Sequence, residues 1–165
     1  KPAAACAPAG KNKTLICFSD NLDRAIATFI LANGAAATGS KVSIFFTFWG
    51  LNVIKKKHGP AVKKTLTEKM FAHMLPKSSD SLALSKMNMM GMGSKMIRGI
   101  MKKKNIDSLE SLIRQAMDNG VEFIACQMTM DMMGIKKEEL LDGVTVGGVA
   151  SYMQKAEEAG VNLFI

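Results

Sequence analysis

The chain of 165 residues has no run of 18 or more apolar residues, so no part of it is read as a bilayer-spanning helix. It has only three cysteines, Cys6, Cys17 and Cys126, and two histidines, His58 and His73. No Cys-x-x-Cys pair occurs, which argues against zinc, and an odd, widely spaced set argues against a disulfide framework. No metal and no cofactor are expected, and a reducing, cytoplasmic setting is the default. The opening KPAAACAPAG lacks the continuous apolar core of a signal peptide. Its Ala and Pro content reads instead as a linker over residues 1–12 from a larger protein, ahead of one domain over 13–165. Acidic residues are scarce in one place. Between Lys55 and Lys104 thirteen Lys and Arg meet only Glu68 and Asp80, a net of +11 against +8 for the whole chain. Aromatics are scarce there too: Phe71 is the only one, so base stacking has little support and no nucleic-acid partner is expected.

What is present alternates. Thr14–Ser19 is a short apolar run suited to a strand buried on both faces. Asp20 offers a helix cap, with Asp23 three residues later, and the run from Leu22 to Thr38 is apolar nearly all round. Lys41–Phe48 is β-branched and aromatic. After an interruption of some fifty residues (about 55–104), Asp107 and Glu110 open a helix whose Leu109, Leu112, Ile113, Ala116 and Met117 follow helical spacing. Val121–Ala125 reads as a third strand ended by Cys126, with a brief helix over Lys136–Leu141. Val144–Val146 is a fourth strand, Gly147-Gly148 turns into a helix bearing Val149, Tyr152, Met153 and Ala156, and Val161–Ile165 closes the chain.

This alternation predicts a doubly wound α/β domain, a mostly parallel five-stranded sheet in a three-layer αβα sandwich carrying a basic, Met-rich insertion. Right-handed crossovers make the order 2-1-3-4-5 the simplest. In that order the crevice at the carboxyl ends of strands one and three binds ligands, lined by Ser19, Asp20, Asn21 and Cys126. Cys126 is then either a small buried hydrophobe or a thiolate at that crevice, favoured by backbone N–H groups of the Gln127–Met130 turn, with Gln127 and Thr129 supplying hydrogen bonds. Cys17, in mid-strand, reads as core. Gly147-Gly148 is placed where bare backbone meets an anion, although a tight turn explains it equally. Met87, Met89, Met90 and Met92 suit Cu(I) as thioethers, or more commonly an adaptable apolar surface. Ser94–Lys104 can lie as an amphipathic helix on an anionic membrane or protein, or be a solvated basic face.

Four consecutive runs carry a resemblance: DNLDRAIATFILANGAAATG, KVSIFFTFWGLNVIKKK, LSKMNMMGMGSKMIRGIMKKKNIDSLESLI and ACQMTMDMMGIKKEELLDGVTVGGVASY. Together they resemble the DsrE/DsrF-like group of sulfur-relay proteins, in the branch with a long Met- and Lys-rich insertion, over about residues 13–165. The resemblance implies a parallel αβα fold and a sulfurtransferase or sulfane-sulfur carrier that holds a persulfide on the cysteine of an ACxMSMDxMG-type motif. That cysteine corresponds to Cys126, with Thr129 where Ser is common. It also implies a donor or acceptor protein or thiol as partner, a homo-oligomer, and fusion to flavin-dependent disulfide reductase, rhodanese or Tus-type modules, which fits a linker-like start. The alternative is a binding module that uses the basic insertion to dock a protein, a membrane or an anionic cofactor, leaving peripheral membrane contact open.

Overall fold

A computed structural model describes residues 11–165; Cys6 and all but the end of the expected linker lie outside them. Five strands form one sheet: β1 (Asn12–Cys17), β2 (Val42–Phe46), β3 (Glu122–Cys126), β4 (Thr145–Gly147) and β5 (Ala159–Phe164). Every neighbouring pair is parallel. The helices are α1 (Leu22–Ala37), α2 (Leu66–Met74), α3 (Met92–Lys103), α4 (Leu109–Asp118), α5 (Gln127–Met133) and α6 (Val149–Glu157). The parallel α/β sandwich is as expected, and β1 opens one residue ahead of the expected domain start.

The strand order is not as expected. It runs β4-β3-β2-β1-β5, so β2 lies between β1 and β3. The reason is the breadth of α1. This helix is apolar nearly all round, and it packs on the sheet and on α4 at once. Phe29 and Ala32 of α1 share one core with Leu112, Ile113 and Ala116 of α4, and the Asn33 side chain donates to the Leu112 carbonyl at 3.0 Å. Two consecutive right-handed crossovers on the same face carry the sheet onward in one direction. The 2-1-3 order would need α4 on the opposite face.

The main core therefore lies between the sheet and α1, α4 and α5, with Leu15, Ile44, Phe46 and Phe123 from the strands. Phe29, Phe46 and Phe123 meet ring to ring at 5.4–6.2 Å. Among the described residues the opposite face carries α6 alone, over a smaller cluster of Phe45, Ile124, Cys126 and Tyr152. The alternation of side chains along a strand sorts these sets: Phe123 and Ala125 point one way, Ile124 and Cys126 the other.

The interruption after β2 begins with a 3₁₀ stretch, Phe48–Ile54, buried from Gly50 to Ile54. It presses so closely on β1 that a Cβ on Gly50 would fall 2.0 Å from the Cys17 carbonyl oxygen. Residues 55–104 then dock through Leu82 and Met101, with Leu75 and Leu84 alongside. Leu66 is left exposed, and so are most of the methionines. Met70, Met74, Met87, Met89, Met90, Met92 and Met96 are all exposed, and only Met101 of the segment's eight is buried. The segment is also clamped by charge, since the Lys64 ammonium lies 2.7 Å from Glu139 with side chains only 9% and 17% exposed.

Candidate functional site

Cys126 ends β3 and is the N-cap residue of α5, a short helix where a turn was expected. Its backbone pairs with Gly147, the last residue of β4. The chain from β3 to β4 passes over the main-core face, where Met130, Met133, Ile135 and Leu140 are buried. The chain leaving β4 turns to the other face, where Tyr152 of α6 is buried. Two adjacent strands whose connections depart to opposite faces form a switch point, and the carboxyl ends there leave a crevice. The switch lies between β3 and β4, not between β1 and β3, and Cys126 and Gly147 stand at it.

The sulfur is nevertheless covered: Cys126 is 1% exposed, packed with Phe45, Ile124 and Tyr152. The cover is thin. Tyr152 is the only buried residue of α6, held by ring contact with Phe45 at 5.1 Å and by a 3.3 Å hydrogen bond between its hydroxyl and Thr14. Gly147 is required by contact, since a Cβ would meet Ile124 and the Ser151 hydroxyl at 2.9 Å, whereas Gly148 faces open space. Gly147 ends β4 and Gly148, extended, is the N-cap of α6.

Of the other expected site residues, Thr129 is fully buried beside the switch. Its hydroxyl lies 3.0 Å from that of Thr47 and accepts from the Phe48 N–H at 3.4 Å, tying α5 to the end of β2. Gln127 is exposed and donates to Asp131 at 2.9 Å. Ser19, Asp20 and Asn21 are not brought to Cys126. They follow β1, with β2 intervening before β3, and they bond elsewhere. The Ser19 hydroxyl donates to the Asn21 side chain at 2.6 Å, and Asp20 accepts from Asn52 at 3.0 Å. The helix cap also differs: Asn21, not Asp20, is the N-cap of α1 and makes no side-chain cap bond. Asp23 instead accepts from the N–H and hydroxyl of Ser85 at 2.9 and 2.5 Å, bonds that outweigh its burial and hold its carboxyl below the usual range.

Cys17 differs from Cys126 in kind. It lies in the main core, and burial pushes its thiol up to about 12, against weaker lowering by the Thr28 hydroxyl. A thiol in that state yields almost no thiolate at neutral pH.

Sequence reasoning missed a polar chain near the end of β1. Asn52, fully buried, bridges Asp20 and the Lys55 ammonium, which donates to the Asn52 side-chain oxygen at 3.4 Å and to the Pro76 carbonyl at 3.0 Å. Burial lowers the Lys55 ammonium below its ordinary value. The signal was an asparagine inside the apolar run LNVI. Tyr152, the only tyrosine in the chain, was read as a helix residue, but its place beside Cys126 was not.

The sequence matches the model of the DsrE/DsrF/DrsH-like family over residues 9–164. The chain belongs to this family. It is 50% identical over 155 residues to the uncharacterized protein YrkE of Bacillus subtilis, covering 94% of this chain and 97% of that one. It is 37% identical over 156 residues to the sulfur carrier protein DsrE2 of Allochromatium vinosum, covering 94% and 98%. A similar fold is seen in two solved structures. The ychN protein of E. coli matches with a TM-score of 0.51 at 10% identity, over 93% of this chain and 98% of that one. MTH1491 of Methanobacterium thermoautotrophicum matches with a TM-score of 0.54 at 13% identity, over 93% and 99%. Among the described residues no helix is long and apolar enough to cross a membrane, and no cluster of three His, Cys, Asp or Glu could hold a metal ion.

Proposed function

We propose that the domain is a sulfane-sulfur carrier or sulfurtransferase module that holds a persulfide on Cys126 and exchanges it with a partner thiol. The observation that carries the reading is the pairing of Cys126 with Gly147 at the point where the crossovers part. Kinship with a relative named a sulfur carrier supports it. In the loading step the Cys126 thiolate attacks the outer sulfur of a donor persulfide R–S–SH. The donor S–S bond breaks, a new one forms at Cys126, and R–S⁻ leaves and takes up the proton. Unloading repeats the exchange with an acceptor thiolate attacking the outer sulfur and Cys126 leaving as thiolate. No net oxidation occurs in either direction. The partners are a protein or a small thiol, and the setting is reducing.

We extend the proposal to self-association. β5 is an edge strand with Val161, Leu163 and Phe164 exposed, an arrangement that a second copy covers readily. Light scattering of the purified chain tests this, and a monomer at all concentrations counts against it.

The test of the carrier reading is intact mass after incubation with a sulfane-sulfur donor. Wild type and Cys17→Ser gain about 32 Da per added sulfur and Cys126→Ser does not. A gain retained in Cys126→Ser removes Cys126 from the role.

A further inference from the structure

From Ser81 to Ile106 the chain has no Asp or Glu and six cations: Lys86, Lys95, Arg98, Lys102, Lys103 and Lys104. The same stretch exposes Met87, Met89, Met90, Met92, Met96, Ile100 and Ile106, with Met90 wholly uncovered. On α3, Met92, Met96 and Ile100 fall at i, i+4 and i+8, so they form one outward ridge. Lys95 and Lys102 flank it, and Lys103 and Lys104 close it. Gly93 and Met101 face inward.

The turn before α3 sharpens the feature. Met87, Met89 and Met90 hold left-handed backbone, with φ of 58°, 42° and 58°, a conformation that costs an L-residue about 1–2 kcal/mol. The turn folds back so tightly that a Cβ on Gly93 would fall 2.0 Å from the Met87 carbonyl oxygen. The Asn88 carbonyl fastens it by accepting from Gly91 and Gly93 at 2.8 and 3.0 Å. Strained backbone is thus used to push bare thioethers into solvent beside lysines. Of the carboxylates on neighbouring elements, Glu110 of α4 pairs with Arg98 at 3.2 Å, while Asp23 accepts from Ser85 and Asp107 from Ser111 and Gln115; among the described residues none of the patch's five lysines is ion-paired.

We propose that this projecting methionine turn and the cationic ridge of α3 are a docking surface for an anionic lipid bilayer. Charge complementarity sets the sign of the partner, and the apolar tip sets its kind. Nucleic acid would satisfy the lysines and leave the methionines in water. A protein would need a socket shaped for a convex tip, whereas a bilayer admits apolar side chains below its headgroups while lysine stems reach back to them. α3 lies on the α1/α4 side of the sheet, where Met101 and Ile106 line one pocket with Ile26, and Cys126 belongs to the layer under α6. Docking through α3 therefore leaves the α6 side open to soluble partners. The inference does not depend on what Cys126 carries.

The experiment is co-sedimentation of the purified chain with vesicles of phosphatidylcholine containing about 30% phosphatidylglycerol, beside pure phosphatidylcholine, at low and high salt. Binding is expected on the anionic vesicles alone, weakening with salt. Lys102→Gln/Lys103→Gln/Lys104→Gln should weaken it at least about tenfold. Met89→Ser/Met90→Ser should weaken it by several-fold while its circular dichroism stays that of wild type. Absence of binding to anionic vesicles at low salt overturns the proposal, as does binding indifferent to both variants. Binding to an acidic amphipathic peptide with no binding to vesicles also overturns it, and assigns the surface to a protein instead.

Discussion

Cys17 and Cys126 each end a strand of the same sheet, yet they lie on opposite sides of it, Cys17 within the main core and Cys126 in the small cluster under α6. Their reactivities should differ accordingly. Under native conditions at neutral pH, alkylation read by peptide mass should label Cys126 at least about tenfold faster than Cys17. Equal rates, or labelling of Cys126 only after denaturation, would return it to the class of core residues.

Access to Cys126 should depend on Tyr152. With one buried side chain, α6 has little to hold it, and local opening needs much less free energy than global unfolding. Tyr152→Ala should speed Cys126 labelling about tenfold or more, with Cys17 nearly unchanged as the reporter of global unfolding. Tyr152→Phe keeps the ring contact and loses only the bond to Thr14, so its effect should be smaller. Acceleration of both cysteines together would mean that the whole fold, not α6, had opened.

The buried Cys17 thiol makes stability fall in alkali. Its folded-state value is raised to about 12 from 9.0, so between these the unfolded chain gives up a proton that the folded chain keeps. The contribution is complete below pH 9 and is lost as pH rises toward 12, at about 1.4 kcal/mol per pH unit. Urea unfolding from pH 8 to 11 should show this slope as the difference between wild type and Cys17→Ala. Parallel curves would refute it.

Two ion pairs on the same chain should behave differently. Glu139→Gln strands the nearly buried Lys64 ammonium and should cost about 3 kcal/mol. Asp142→Asn removes an almost fully exposed carboxylate from Lys56 and should cost less than about 0.5 kcal/mol. Denaturant midpoints of the two variants decide the comparison, and similar losses would count against the clamp.

Gly50→Ala should be among the most damaging single changes. The added methyl collides with backbone, the Cys17 carbonyl, which no rotamer change relieves. We expect a loss of about 3 kcal/mol or more, or failure to fold, measured by thermal unfolding. Gly148→Ala meets open space and should change stability by less than about 1 kcal/mol.

The alternation of apolar runs with capped, periodic segments was enough to determine five parallel strands, the helices α1, α4 and α6, and the place of Cys126 at a strand end, whereas the helix expected over Lys136–Leu141 is only a 3₁₀ turn, Lys137–Glu139. These features rest on local propensity and period, which each segment carries in its own residues. Strand order was not legible, because right-handedness fixes how a crossover turns and leaves open which face the next one takes. That choice came from α1 and α4 packing together, a contact between residues some eighty positions apart. The same choice moved Ser19, Asp20 and Asn21 away from Cys126 and brought Gly147 and Tyr152 to it. The exposure of the methionines was likewise decided in three dimensions. Their composition suits a core or a surface equally, and the left-handed turn at Met87–Met90 and the inward face of α3 taken by Gly93 and Met101 left Met87, Met89, Met90, Met92 and Met96 outside.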